Sequence, residues 1–264
     1  AVDSFGNILV ALKDGDAKEV NSAIRKYRSQ VEDYASVAPF VTKAKVEHWL
    51  NRFNPTMLGI VLYLTALIVG FASFGFARAH LRMTTFGILL GVFIIHTVAL
   101  LLRMYISGRA PVTNLYSSAL FIGWSCVLFC LILELVYRLG VANIVAALIG
   151  AITLCIARGL DKGDTMHVLA AVLDTQFWLS THVVTVTLGY AVTYLAGFIG
   201  AVALVYMYLQ NRSPANTPDE KFSRRFQQTL YRMCYFSVCF GLLFSFVGTV
   251  LGGLWADDSW GRFW

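Results

Sequence analysis

TTFGILLGVFIIHTVALLL, residues Thr84–Leu102, runs for nineteen residues without an Asp, Glu, Lys or Arg. An α-helix rises 1.5 Å per residue, so about 20 apolar residues cross the roughly 30 Å hydrocarbon core of a bilayer. Five more runs are of the same kind: Thr56–Phe74, Leu115–Val136, Val141–Ala157, Val183–Leu209 and Met233–Gly252. Val141–Ala157 is the shortest and lies at the lower limit for a span. Across the 264 residues, 58% are apolar or aromatic and 14% charged, against about 25% charged in soluble domains. The expected fold is all-α: a polytopic membrane protein with about six transmembrane helices. A soluble globular domain is excluded.

Residues 1–54 read as a polar, extramembrane helical segment. Val20, Ile24, Tyr27, Val31 and Tyr34 recur at helical spacing, and so do Val46, Trp49, Leu50 and Phe53. Asn54 and Pro55 read as the N-cap and first-turn proline of span one. The transmembrane domain is expected over 55–264. Two connections are longer than the rest, Arg158–Thr181 and Gln210–Arg232.

The net charge of +6 is no nucleic-acid signal. The basic residues lie in loops and in the first segment, where lipid headgroups are the expected partner. With the first segment outside, the inner loops hold Arg78, Arg82, Arg138, Arg212, Lys221, Arg224, Arg225 and Arg232, and the outer loops Arg103, Arg109, Arg158, Lys162 and Arg262. That is eight against five, in the direction of the positive-inside rule. Counting Lys43, Lys45 and Arg52 as outer makes the two sides even, so charge alone leaves the orientation open. The sequence opens on Ala1, with no initiator Met and no signal-peptide pattern ahead of the first span, and ends on Trp264 without a polar tail; a fragment of a longer chain is expected.

Cys126, Cys130, Cys155, Cys234 and Cys239 all fall in spans, where Cys usually serves as a small apolar residue. There is no C-x-x-C-H for a covalent c-type haem.

His182 opens span five, where an imidazole either ligates a haem iron from the water side or bonds to water or a loop carbonyl. His96 lies within span two, where an ionisable residue is functional by default or bonds to a neighbouring hydroxyl. The two are a poor pair for one embedded haem, since His96 lies roughly 10 Å deeper at 1.5 Å per residue. His80 and His48 read as solvated, and His167 lies in the long loop. Glu134 is the only acidic residue in a span and is followed one turn later by Arg138, as an interfacial pair would be.

The last stretch, GGLWADDSWGRFW from Gly252 to Trp264, carries Trp255, Trp260, Phe263 and Trp264 on a glycine-flanked segment read as a loop. Tryptophan also marks bilayer interfaces, but this density forms a platform for a flat apolar ring system with a charged edge. Arg262 is placed to pair with propionate carboxylates.

This stretch resembles the tryptophan-rich motif of the cytochrome c assembly proteins, W-G-x-x-W-x-W-D. Trp260, Gly261 and Trp264 match its first three fixed positions; the last Trp and the Asp are absent. Trp178–Tyr190 is similar to the family segment that bears the first extracytoplasmic haem-ligand His, and Arg103–Ser117 to an earlier loop. The likeness extends from about Pro55 to Trp264 and is nearest to the CcsA-type, System II branch.

The resemblance implies handling of haem b as a transferred substrate, presented outside a bacterial inner membrane to apocytochrome c, with a ResB-type partner or fused domain. It gives His182 as an iron ligand and Trp255, Trp260, Gly261, Arg262 and Trp264 as the haem surface; the second axial His lies beyond the motif. Haem vinyls would join the thiols of an acceptor C-x-x-C-H. The chain contributes positioning, and no residue reads as a general acid, base or nucleophile, so synthase (haem lyase) activity belongs to a complete complex. Two other readings stand beside it: a transporter without haem, and a bis-His membrane cytochrome b.

Overall fold

A backbone in hydrocarbon has no water to bond, so it must satisfy its own N–H and C=O groups, and a helix does so within one segment. The structure, a computed structural model, describes residues 2–33, 37–75, 78–161, 163, 165–166, 175–212 and 220–261. Among them no strand occurs, and six helices are long and apolar enough to cross a membrane. They carry α4 (Pro55–Gly75), α5 (Arg78–Ser107), α6 (Leu115–Tyr137), α7 (Val141–Leu160), α9 (Val184–Arg212) and α10 (Glu220–Trp260). This is the six-span, all-α membrane fold that the apolar runs predict.

Several helices outlast their apolar runs. α5 has 30 residues and α10 has 41, roughly 45 and 60 Å at 1.5 Å per residue. Their polar ends therefore extend past a hydrocarbon core of roughly 30 Å. The basic stretch with Arg224, Arg225 and Arg232, read as part of a connection, belongs to α10.

The chain divides into two compact units, Ala1–Phe53 and Asn54–Trp264. Among the described residues the first unit holds α1 (Val2–Asp14), α2 (Ala17–Glu32) and α3 (Ala38–Phe53). Tyr34, part of the predicted helical repeat, lies outside the described residues. α1 packs on α2 through Phe5 and Tyr27, ring centroids 6.1 Å apart, and Ser4 bonds Gln30. Lys45 Nζ lies 2.6 Å from Glu32 Oε1 and joins α3 to α2. The ammonium holds that carboxyl below its ordinary range.

The second unit begins at Asn54, whose side chain accepts from the Met57 N–H at 3.3 Å, as its reading as a cap requires. Its most buried span is α7, rich in small residues: Ala142, Ala146, Ala147, Gly150 and Ala151 are buried. Lipid removes the hydrophobic drive between helices, so close backbone approach over small residues has to supply contact. Gly150 lies under the fully buried ring of Tyr63; a Cβ there would meet Tyr63 carbons at 2.7–2.9 Å. α6 and α7 approach in the same way at Gly123, beside Thr153.

The α6–α7 turn corrects one expectation. α6 ends at Tyr137, and Arg138 adopts a left-handed conformation, φ 54°. Its side chain is thereby turned off the helical register that would bring it over Glu134. Instead, both Glu134 carboxylate oxygens accept from the Gly140 N–H at 2.9 Å, and Arg82 Nε lies 3.9 Å away. Of the cysteines, Cys126 and Cys130 are buried, Cys155 and Cys239 exposed and Cys234 intermediate; all are free.

Gly150→Ala is expected to destabilise the second unit by about 1–3 kcal/mol, the usual cost of overpacking. Gly197→Ala, with nothing within 4 Å of its Cβ position, is expected to be neutral or stabilising. Thermal unfolding of both variants in detergent measures the difference.

Candidate functional site

The chain enters span five through one α-helical turn, α8 (Gln176–Trp178), then a π-helical turn, Leu179–Val183, then α9. π-turns within helices recur at functional sites, and this one carries His182. The imidazole Nδ1 lies 2.7 Å from the Gly248 carbonyl oxygen on α10. A carbonyl only accepts, so Nδ1 carries a proton, and in the neutral imidazole the lone pair is then on Nε2. This is the arrangement that fixes the tautomer of metal-ligating histidines.

α10 is shaped to admit the ring. A Cβ at Gly252 would fall 2.7 Å from His182 Cε1 and 3.2–3.3 Å from the two ring nitrogens. One turn further, the Trp255 ring packs against the imidazole, centroids 5.6 Å apart at 56°. Trp255 Nε1 is buried without a hydrogen-bond partner. Beyond it, the Trp178 indole N–H donates to Asp258 at 2.9 Å. Gly248, Gly252, Trp255 and Asp258 thus hold the Trp178–His182 segment along three turns of α10.

The glycine-flanked loop expected around Trp255 is therefore not a loop. α10 continues as helix through Gly252 and Gly253 to Trp260 and stops at Gly261, φ 71°. Gly252 marks a close approach rather than a break. Trp255 faces His182, whereas Trp260 is 60% exposed. Arg262, Trp264 and His167 lie outside the described residues.

His96 goes elsewhere. It is buried in α5, with Nδ1 3.4 Å from the Tyr63 hydroxyl and Nε2 without a partner. The structure pairs it with Tyr63 rather than with His182. His48 and His80 are exposed. Among the described residues no group of three or more His, Cys, Asp or Glu side chains is placed to hold a metal ion.

The Arg103–Ser117 stretch forms a second cluster at the same end of the bundle. Asn114 caps α6 in a capping box with Ser117. Arg103 donates to the Thr165 carbonyl at 3.1 Å and to its hydroxyl at 2.9 Å, with its guanidinium 4.6 Å from the Tyr116 ring centroid. The Asn114 amide donates to the same carbonyl at 2.9 Å. Thr165 was not legible as a partner, since a lone Thr in a long loop carries no pattern.

Residues 112–264 match the sequence model of a family described as Cytochrome C assembly protein. The chain belongs to this family. Protein NrfI of Wolinella succinogenes is 30% identical over 239 residues, which cover 86% of this chain and 25% of that protein. Cytochrome c biogenesis protein CcsA of a Synechococcus species is 29% identical, covering 79% of this chain and 76% of its own length. CcsA of Prochlorococcus marinus is 24% identical, with 79% and 74% covered. The chain thus spans about a quarter of NrfI and about three quarters of these CcsA proteins. The match includes α6, α7, α9 and α10, and with them both sides of the His182 contact. Membership and the six apolar helices together make this an integral membrane protein.

Gly252→Ala is expected to push the imidazole off the Gly248 carbonyl. Ring ¹⁵N shifts of His182 in micelles should then move from a single Nδ1–H tautomer towards a mixture, while Gly253→Ala, open at its Cβ position, leaves them unchanged.

Proposed function

We propose that the end of the bundle carrying His182 and Trp255 holds haem b as a substrate and presents it to apocytochrome c for covalent attachment on the extracytoplasmic face of a bacterial inner membrane. One observation carries this reading: the Gly248 carbonyl accepts from Nδ1 of His182, so that in the neutral ring Nε2 has the lone pair with which imidazole ligates iron. Trp255 supplies a flat apolar wall beside that imidazole, and its unspent N–H is a donor of the kind a propionate accepts from. The relatives' names, cytochrome c biogenesis protein CcsA among them, agree with this role.

In the proposed reaction each acceptor thiol adds its S–H across a haem vinyl, forming a thioether with no other product. The residues of this chain act by position. His182 holds the iron from one side until the acceptor's own His displaces an axial ligand, and Trp255, Trp260, Gly261, Arg262 and Trp264 form the surface that orients the ring. A ResB-type membrane partner or domain completes the complex.

In the complete natural protein, His182→Ala is expected to cut retained haem and holocytochrome yield at least about tenfold, the scale on which a disturbed ligand shell acts. Added imidazole should restore part of both by filling the open position. Trp255→Ala should lower haem retention without a response to imidazole. An unaltered haem spectrum and normal yield in His182→Ala would refute the ligand assignment.

The proposed sidedness has its own test. Single Cys residues at Ser259 and Gly163 are expected to react with an impermeant thiol reagent added outside intact cells, and a Cys at Arg212 only after lysis. The reverse pattern would overturn it.

A further inference from the structure

At the end of the bundle opposite His182, Ser73, Phe74, Arg82, Arg138, Tyr206 and Phe226 line a cavity of about 360 Å³. Its walls come from the last turn of α4, the start of α5, the α6–α7 turn, the end of α9 and the start of α10. The two guanidinium groups are held from behind. Arg82 Nη1 donates to the Arg138 carbonyl, and Arg138 Nε reaches the Leu135 carbonyl at 3.5 Å. Among the described residues, the carboxylate that meets them is Glu134, 3.9 Å from Arg82 Nε, and it already takes the Gly140 N–H on both oxygens. Among the described residues, two cations thus face one occupied anion.

The backbone adds a second observation. Arg138 occupies the left-handed position that ends α6, where glycine is usual and another L-residue costs roughly 1–2 kcal/mol. A long cationic side chain is therefore kept where the fold alone favours none. Its level suits a headgroup: α5 is 30 residues long, roughly 45 Å, so its first turns lie outside a hydrocarbon core of roughly 30 Å. Beside the two arginines the walls carry the hydroxyls of Ser73 and Tyr206 and the apolar Phe74, Leu139 and Phe226, with Phe74 43% exposed and Phe226 half-buried.

We propose that this cavity binds the phosphate of an anionic phospholipid from the leaflet at that end, with Arg82 and Arg138 donating to the phosphate oxygens and Phe74 and Phe226 flanking the first acyl carbons. Basic pockets between transmembrane helices recognise anionic headgroups by this chemistry.

The test uses the complete natural protein in nanodiscs of phosphatidylcholine with trace spin-labelled phosphatidylglycerol or phosphatidylcholine. Arg138→Gly removes the cation while giving the turn its preferred residue, so its thermal midpoint should be no lower than that of the parent. Its selectivity for phosphatidylglycerol should fall about fivefold, the factor one basic residue contributes near a membrane surface. Arg138→Lys and Arg158→Ala, the latter at the other end of the bundle, should keep it. Inorganic phosphate at millimolar concentration should not displace the lipid. Unchanged selectivity in Arg138→Gly, equal loss in Arg158→Ala, or displacement by phosphate would each overturn the assignment.

Discussion

Between α9 and α10 the two backbones meet where side chains are missing. A Cβ on Gly189 would strike the Ser245 backbone at 2.7 Å, and one on Gly248 would strike Val186 at 2.7–2.9 Å. In water such a seam would be a minor refinement of a hydrophobic contact. In lipid, where apolar side chains gain nothing by leaving the solvent, close approach is what holds two helices together. The same closeness brings the Gly248 carbonyl within 2.7 Å of His182. Packing and site are one arrangement: a seam opened by a single methyl group would take the imidazole's partner away.

The sequence makes the spans plain because the bilayer imposes a length and forbids unpaired charge, and both constraints can be read residue by residue. Asn54 was legible as a cap for a similar reason, since its side chain and the following Pro55 act locally. His182 stood out as an ionisable group at the water boundary. What could not be read was which glycines break a helix and which let another helix approach. Gly252 and Gly253 read as a loop signal, yet they continue α10, because the occupant of the missing Cβ space belongs to a different helix, 70 residues earlier for Gly252 and His182. Glu134 misled for a related reason. Helical spacing offered Arg138 as its partner, and the chain's left-handed turn at that residue withdrew it. α1 escaped notice as well, because its apolar residues gather meaning only once α2 is packed against them.

Polar contacts divide the bundle by purpose. In its core, Tyr63 and His96 meet each other, and Trp124 donates to Thr97 at 2.8 Å; such contacts fix which helices pair. At the end carrying His182, the polar groups instead cross between segments far apart in sequence: Trp178 to Asp258, Arg103 and Asn114 to Thr165. There a lost bond would release a loop or a helix end while the spans stayed assembled.

The π-turn at Leu179–Val183 acts as a phase corrector. From Trp178 to Val186 an uninterrupted α-helix would rotate by about 800°, roughly 80° beyond two full turns, and Trp178 would swing away from the seam. One residue absorbed in a wider turn takes up about that excess. Trp178, His182 and Val186 can then all meet α10, at Asp258, Gly248 and Gly248 again. Below the turn the ordinary α-helical phase resumes, and Tyr190 and Tyr194 stay exposed on the outer side of α9. A single-residue deletion anywhere in the turn would therefore act as a rotation, turning the indole and the imidazole about the helix axis relative to everything after them.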